Sequence, residues 1–164
     1  MIYILTGAIR SGKTTALVNW FKNRQGVDGL LCPDNSVGKR CFLKIQSEVE
    51  FELEIGTEVE TEKIIQIGNF RFLKSAFDKA NTYLMSIAYE NPKTHIIIDE
   101  IGKLELKNDG LHESAEQLIS KFQLEEEYHV ILVVRDYLLE AVLEHYTISE
   151  YSLIKTEDLE SDYF

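Results

Sequence analysis

The sequence predicts an α/β protein: a mainly parallel sheet between helices, with an antiparallel hairpin inserted at about residues 40 to 72. Three observations carry this. Wholly apolar runs such as "III" at residues 96 to 98 and "VILVV" have the profile of parallel strands buried on both faces. They alternate with stretches of helical period, the pattern of repeated strand–helix units. Between Arg40 and Ile55 the period changes to two, as in a half-exposed antiparallel strand pair.

Taken in order, residues 2 to 6 read as a short buried strand, followed by a glycine loop and a helix over Thr14 to Asn23 with Leu17, Trp20 and Phe21 on one face. Gly26 and Gly29 punctuate the next connection, and Leu30, Leu31 and Cys32 read as a second strand ending at Pro33. "KRCFLKIQ" then pairs with "EVEFELEI", where Glu48, Glu50, Glu52 and Glu54 alternate with Val49, Phe51, Leu53 and Ile55 and share one face, read as plainly solvated in preference to a metal or cationic-partner site. "IIQIGNFRFL" is a further strand-like piece. Ser75 to Glu90 is a helix that turns Phe77, Ala80, Tyr83, Leu84 and Ile87 to the core, with Asn91-Pro92 ending it. "THIIIDE" is a central strand closing in two acids. Leu111 to Phe122 is helical, "YHVILVVRD" is a second buried strand, and Tyr137 to His145 is a short helix. "YTISEYSLIK" supplies a last strand before an acidic, frayed tail.

With 164 residues the chain has the size of one ordinary domain, and residues 1–164 are read as one. A net charge of -11 argues against DNA or RNA as partner, since such proteins need a clustered basic surface. Cys32 and Cys41 lack the spacing of a redox or zinc motif and are expected to be reduced and packed. No basic region followed by an apolar run opens the chain, and no segment approaches the ~18 apolar residues of a membrane span. A cytoplasmic location without membrane contact is expected. The four histidines show no ligand spacing, and the sequence is silent on oligomeric state.

"GAIRSGKT" satisfies G-x-x-x-x-G-K-[ST] through Gly7, Gly12, Lys13 and Thr14. The glycines let the loop wind tightly and turn its N–H groups inward, while the following helix aims its positive end at an anion. Gly7, Ala8, Ile9, Arg10, Ser11, Gly12, Lys13, Thr14 and Thr15 are therefore the expected phosphate-binding residues. Lys13 reaches the β- and γ-phosphates, and Thr14 ligates Mg²⁺. Arg10 either folds over the phosphates, points into water or pairs with a surface acid. A phosphate loop of this kind requires an acid at the end of a neighbouring apolar strand, and Asp99 fits the metal role. Glu100, one residue further, stands where it could deprotonate a water. Arg135 ends another apolar strand and either stabilises the γ-phosphate or pairs with a surface acid such as Asp136.

"DEIGKLEL", residues 99 to 106, together with the phosphate loop near the N-terminus, resembles the THEP1-type nucleoside-triphosphatase family; "IGNFRFLKSAFDKA" is similar to the stretch before that family's middle helix. The resemblance runs to about residue 145 and implies a P-loop NTPase three-layer sandwich with a RecA-like sheet, in which one strand separates the P-loop strand from the acid-bearing one. It also implies Mg²⁺-dependent hydrolysis of a nucleoside triphosphate such as ATP or GTP to the diphosphate and phosphate, with loose base selectivity. Lys13 and Thr14 would hold phosphate and metal, Asp99 the metal's water, and Glu100 the attacking water. Lys103 and Glu105 also match, fixing the loop or touching substrate. Ile9-Arg10 and the C-terminal "YSLIKTEDLESDYF" depart from the family pattern. A small-molecule or nucleotide kinase using the same loop, and a nucleotide-binding switch without turnover, are the alternatives.

Overall fold

The computed structural model describes residues 1–22, 24–56, 63–90 and 94–160. The elements follow the chain as β1 (Ile2–Gly7), α1 (Lys13–Phe21), β2 (Val27–Leu31), β3 (Cys41–Lys44) and β4 (Val49–Glu52). Next come β5 (Ile64–Ile67), β6 (Phe70–Leu73), α2 (Lys74–Glu90), β7 (His95–Ile101) and α3 (His112–Phe122). β8 (His129–Arg135), α4 (Leu139–His145) and β9 (Ser152–Ile154) complete the series, with short 3-10 turns at Glu105–Lys107, Asp136–Leu138 and Thr156–Glu160.

A seven-stranded sheet runs in the order β4-β3-β2-β7-β8-β1-β9. The block from β2 to β9 is parallel, and β3 and β4 extend it as an antiparallel edge. Period-two alternation sends successive strand residues to opposite faces. Ile96, Ile98, Val130, Leu132 and Val134 enter the core beneath α2, α3 and α4, whereas Ile97, Ile131 and Val133 enter the core beneath α1. Helices thus cover both faces of the sheet, as expected. Among the described residues no helix is long and apolar enough to cross a membrane.

Several elements differ from the sequence reading. Gly29 lies inside β2 and not in a connection, with φ of 129°; a Cβ there would sit 2.1 Å from the Ile97 carbonyl oxygen. Glycine is what allows β2 to approach β7 so closely. Asp28 beside it is 2% exposed and accepts hydrogen bonds from the Gly29 N–H and the Tyr83 hydroxyl, which ties β2 to α2. "IIQIGNFRFL" is not one strand but the hairpin β5–β6, a separate two-stranded sheet reversing at Gly68-Asn69. β7 continues past both acids to Ile101, with an irregular register against β8 between Ile98 and Ile101. The tail is not frayed as far as it is described: Thr156–Glu160 turns back against α1, and Leu159 is buried at 4% exposure. The β3–β4 pairing follows the expectation, with Glu48, Glu50 and Glu52 exposed, but β4 ends at Glu52. Glu54 is half-buried and accepts the Arg40 N–H, and Val49 is exposed at the start of the strand. Asn23, the Asn91-Pro92 stop, residues 57–62 of the insertion and residues 161–164 lie outside the described residues.

Candidate active site

The loop between β1 and α1 has the form its sequence dictates. Gly12 caps α1 in the left-handed region at φ 84°, and Arg10 also has positive φ, 58°. Such angles suit glycine and cost a side-chain-bearing residue of order 1–3 kcal/mol, so Arg10 is held there by the turn around it. The Lys13 ammonium is folded into the loop, donating to the carbonyls of Gly7 at 2.9 Å and Ala8 at 2.7 Å and to Ser11 Oγ at 3.2 Å. Burial pushes its pKa below the usual lysine value, and the nearby Asp99 and Glu100 charges oppose that shift. Ile9, Arg10 and Thr15 are exposed on the rim of the same cavity, and Arg10 has no ion-pair partner among the described residues.

Strand order brings Asp99 to this loop. β8 lies between β1 and β7, so the carboxyl ends of all three strands open on one edge. There the Thr14 hydroxyl donates to Asp99 Oδ2 at 2.7 Å, across 85 residues of sequence, and the Cys32 N–H donates to the same oxygen at 3.1 Å. Asp99 is 1% exposed, and its Oδ1 is buried without a hydrogen-bond partner. Burial and then the neighbouring Glu100 raise its carboxyl to about 6, against the hydrogen bonds from Thr14 and Cys32. An unpartnered buried carboxylate oxygen beside a hydroxyl is a donor set suited to a hard divalent cation. Among the described residues no group of three or more His, Cys, Asp or Glu could hold a metal by itself. A Mg²⁺ site that draws its remaining ligands from substrate phosphates and water needs no such group.

Glu100 adopts φ 70°, and its carboxylate is clamped by two guanidiniums: Arg40 at 2.7 Å through Oε1 and Arg135 at 3.4 Å through Oε2. Arg135 therefore pairs with Glu100 and not with Asp136, whose carboxylate accepts the Tyr137 N–H. Sequence reading missed Arg40. Nothing local marks it; its signal is topological, because β3 runs antiparallel to β2 and so begins at the edge where the parallel strands end. Ile9 to Thr15, Arg40, Asp99, Glu100 and Arg135 line one cavity of about 740 Å³ together with Cys32, Pro33 and Asp34, while Gly7 and Ala8 contribute carbonyls to Lys13.

The segment after β7 is built around Glu105, 3% exposed, whose two oxygens accept the N–H groups of Gly102 at 2.8 Å and Leu111 at 2.9 Å. Glu105 thus braces the loop from within, while Lys103 is exposed over the Tyr137 ring. The histidines sit outside the cavity in two pairs, His95 with His129 and His112 with His145. Cys32 and Cys41 are free and buried.

One strand between the P-loop strand and the acid-bearing strand is the RecA-like order, and with helices on both faces it assigns the chain to the P-loop NTPase class. The particular family follows from the sequence: residues 2–157 match the model of the family described as NTPase, the THEP1 type, and the chain belongs to it. Its structure is similar to that of THEP1 from the hyperthermophile Aquifex aeolicus, with a TM-score of 0.71 at 18% identity, covering 98% of this chain and 100% of that one. It is also similar to the solution structure of a human cancer-related nucleoside triphosphatase, with a TM-score of 0.68 at 17% identity, covering 96% of this chain and 92% of that one. At such identities the likeness speaks for the fold. No curated protein matches the chain in sequence.

Proposed function

We propose that the protein hydrolyses nucleoside triphosphates to the diphosphate and inorganic phosphate, with Glu100 as the base that activates water. The observation that carries this reading is that one cavity is lined by the glycine loop, by Asp99, which accepts from Thr14, and by a second carboxylate, Glu100, which is held by Arg40 and Arg135 instead. Membership in the NTPase family supports it.

In this reading the backbone N–H groups from Ala8 to Thr15 and the start of α1 cradle the phosphates, and Lys13 exchanges its loop carbonyls for phosphate oxygens. Thr14 and Asp99 hold Mg²⁺, which neutralises phosphate charge when bound. Water attacks the γ-phosphorus, its proton passes to Glu100, and the bridging P–O bond breaks as the diphosphate leaves. Arg135 and Arg40 fix the Glu100 carboxylate and present their remaining N–H donors to the charge that develops on the phosphoryl oxygens. Base selectivity is loose, the nucleotide is the only partner required, and the reaction belongs to the cytoplasm.

Phosphate release measured with ATP, GTP, CTP and UTP in the presence of Mg²⁺ tests this directly. A flat profile across the bases is expected. Glu100→Gln is expected to bind nucleotide but lose about 10²- to 10⁴-fold in turnover. Phosphate release by Glu100→Gln at the rate of the unaltered protein would refute the assignment of the base.

A further inference from the structure

A second cavity, of about 390 Å³, adjoins the first. The two share Cys32, Arg40, Glu100 and Arg135, and no residue of the glycine loop lines the second. Glu100 with its two arginines is therefore the partition between them. On the far side the wall changes character: Phe42, Phe70, Phe72 and Phe77 line it, Ile67, Leu104 and Leu138 are among its other apolar residues, and Asn69, Lys103 and Glu105 add polar groups. The cavity is formed where the β5–β6 turn faces the segment that follows β7.

Delivery of water to Glu100 does not call for such a wall, since a held water needs about two to four polar partners. A concave, mostly apolar space within the usual range of roughly 300–1,000 Å³, with a small number of polar groups, is the form of a small-molecule site. Phe70 at its mouth is 44% exposed, an apolar ring left available, and the Arg40 guanidinium stands 5.9 Å from the centre of that ring. Four phenylalanines favour an aromatic body in the cavity. The carboxylate at the partition favours a hydroxyl directed at it, because an ionised Glu100 accepts but does not donate hydrogen bonds.

We propose that this cavity binds a phosphoryl acceptor, a small aromatic alcohol, and that the protein transfers the γ-phosphoryl group of the nucleotide to its hydroxyl. The inference rests on the reading of Glu100 as base and adds a second nucleophile for it. The alcohol oxygen attacks the γ-phosphorus and forms a new O–P bond while its proton passes to the Glu100 carboxylate. The bond between the γ-phosphorus and the β–γ bridging oxygen breaks, and its electron pair leaves with the nucleoside diphosphate. The products are the diphosphate, a phosphomonoester and one proton released from Glu100 to solvent. With the cavity empty, water takes the place of the alcohol and phosphate is released.

The test offers the full chain γ-labelled ATP and Mg²⁺ with 2-phenylethanol or, at equal hydroxyl concentration, glycerol, and separates phosphomonoester from phosphate. The expected result is an ester-to-phosphate ratio about tenfold or more higher for 2-phenylethanol than for glycerol. Ile67→Trp, which fills the cavity from β5, and independently Leu104→Phe should lower that ratio to the glycerol level. Without nucleotide or metal, saturation-transfer NMR should detect 2-phenylethanol on the unaltered protein and lose it in both variants. Phosphate as the sole product, or equal ratios for the two alcohols, overturns the proposal. If phosphate is the sole product while Glu100→Gln is inactive, the acceptor falls and the hydrolase reading stands. If Glu100→Gln releases phosphate at the unaltered rate, the base itself is wrong.

Discussion

Replacing Glu105 by glutamine should change how stability depends on pH, by an amount the structure sets. Burial raises the Glu105 carboxyl from 4.5 to about 7, against the hydrogen bonds it accepts from Leu111 and Gly102. The native state then binds more protons than the unfolded chain between those two values, so stability falls as pH rises through that window. At about 1.4 kcal/mol per pH unit the full loss is about 3 kcal/mol, of which about 2 kcal/mol falls between about pH 5.5 and about pH 8. Glutamine does not titrate. Its amide also turns an NH₂ toward one of the two N–H donors that Glu105 satisfies, a loss of roughly 1–3 kcal/mol at every pH. The unaltered protein should therefore exceed Glu105→Gln in stability most clearly at the lower pH, and the gap should shrink by about 2 kcal/mol at the higher. Urea denaturation of both proteins reads this through Trp20, the single tryptophan, which is 6% exposed. A gap of equal size at both pH values would refute a carboxyl held neutral by burial.

Lys13→Ala removes an ammonium that makes two charge-assisted bonds at 2.9 and 2.7 Å, and nucleotide affinity should fall about 100-fold by calorimetry with ADP; an affinity within threefold or so of the original would contradict the phosphate role. Arg40→Ala should lower kcat by about 10² with nucleotide affinity little changed, and Arg40→Lys should recover only part of it, since one ammonium cannot serve both carboxylate and phosphoryl oxygens. Asp99→Asn should raise the Mg²⁺ concentration for half-maximal phosphate release by about tenfold or more, and an unshifted metal titration would remove Asp99 from the metal site. Gly29→Ala should destabilise the fold by about 3 kcal/mol or more, because the new Cβ meets the Ile97 carbonyl oxygen at 2.1 Å; a midpoint in urea equal to that of the unaltered chain would show that β2 can move away.

The parts of the site that were legible in advance are those built from contiguous residues. Gly7 to Thr14 specify a loop whose geometry is local: a strand ending, two glycines, a helix beginning. Asp99 was legible because an apolar run ending in an acid is also a local pattern. Glu105 was seen only as a motif match; its bracing role depends on the Leu111 N–H, six residues on, meeting its carboxylate from the far side of a turn. Arg40 was invisible, because its meeting with Glu100 depends on β3 running antiparallel to β2, and neither residue's neighbours encode that direction. The single strand expected at "IIQIGNFRFL" failed for a related reason. Its apolar residues continue across Gly68-Asn69, so periodicity could not show the reversal, and only pairing between Ile64 and Leu73 reveals it.

By itself the sequence determined the strand–loop–helix unit, the parallel core and the glycine loop between β1 and α1, since hydrophobic period and backbone chemistry act over a few residues. The family resemblance implied one strand between β1 and the acid-bearing strand; tertiary structure alone decided that this strand is β8, that the Thr14 hydroxyl bonds directly to Asp99, and that Arg40 and Arg135 close on Glu100. It also decided that an aromatic cavity stands behind that carboxylate. Those features join residues tens of positions apart, and their energy is realised only once the sheet order brings the strand ends to a common edge.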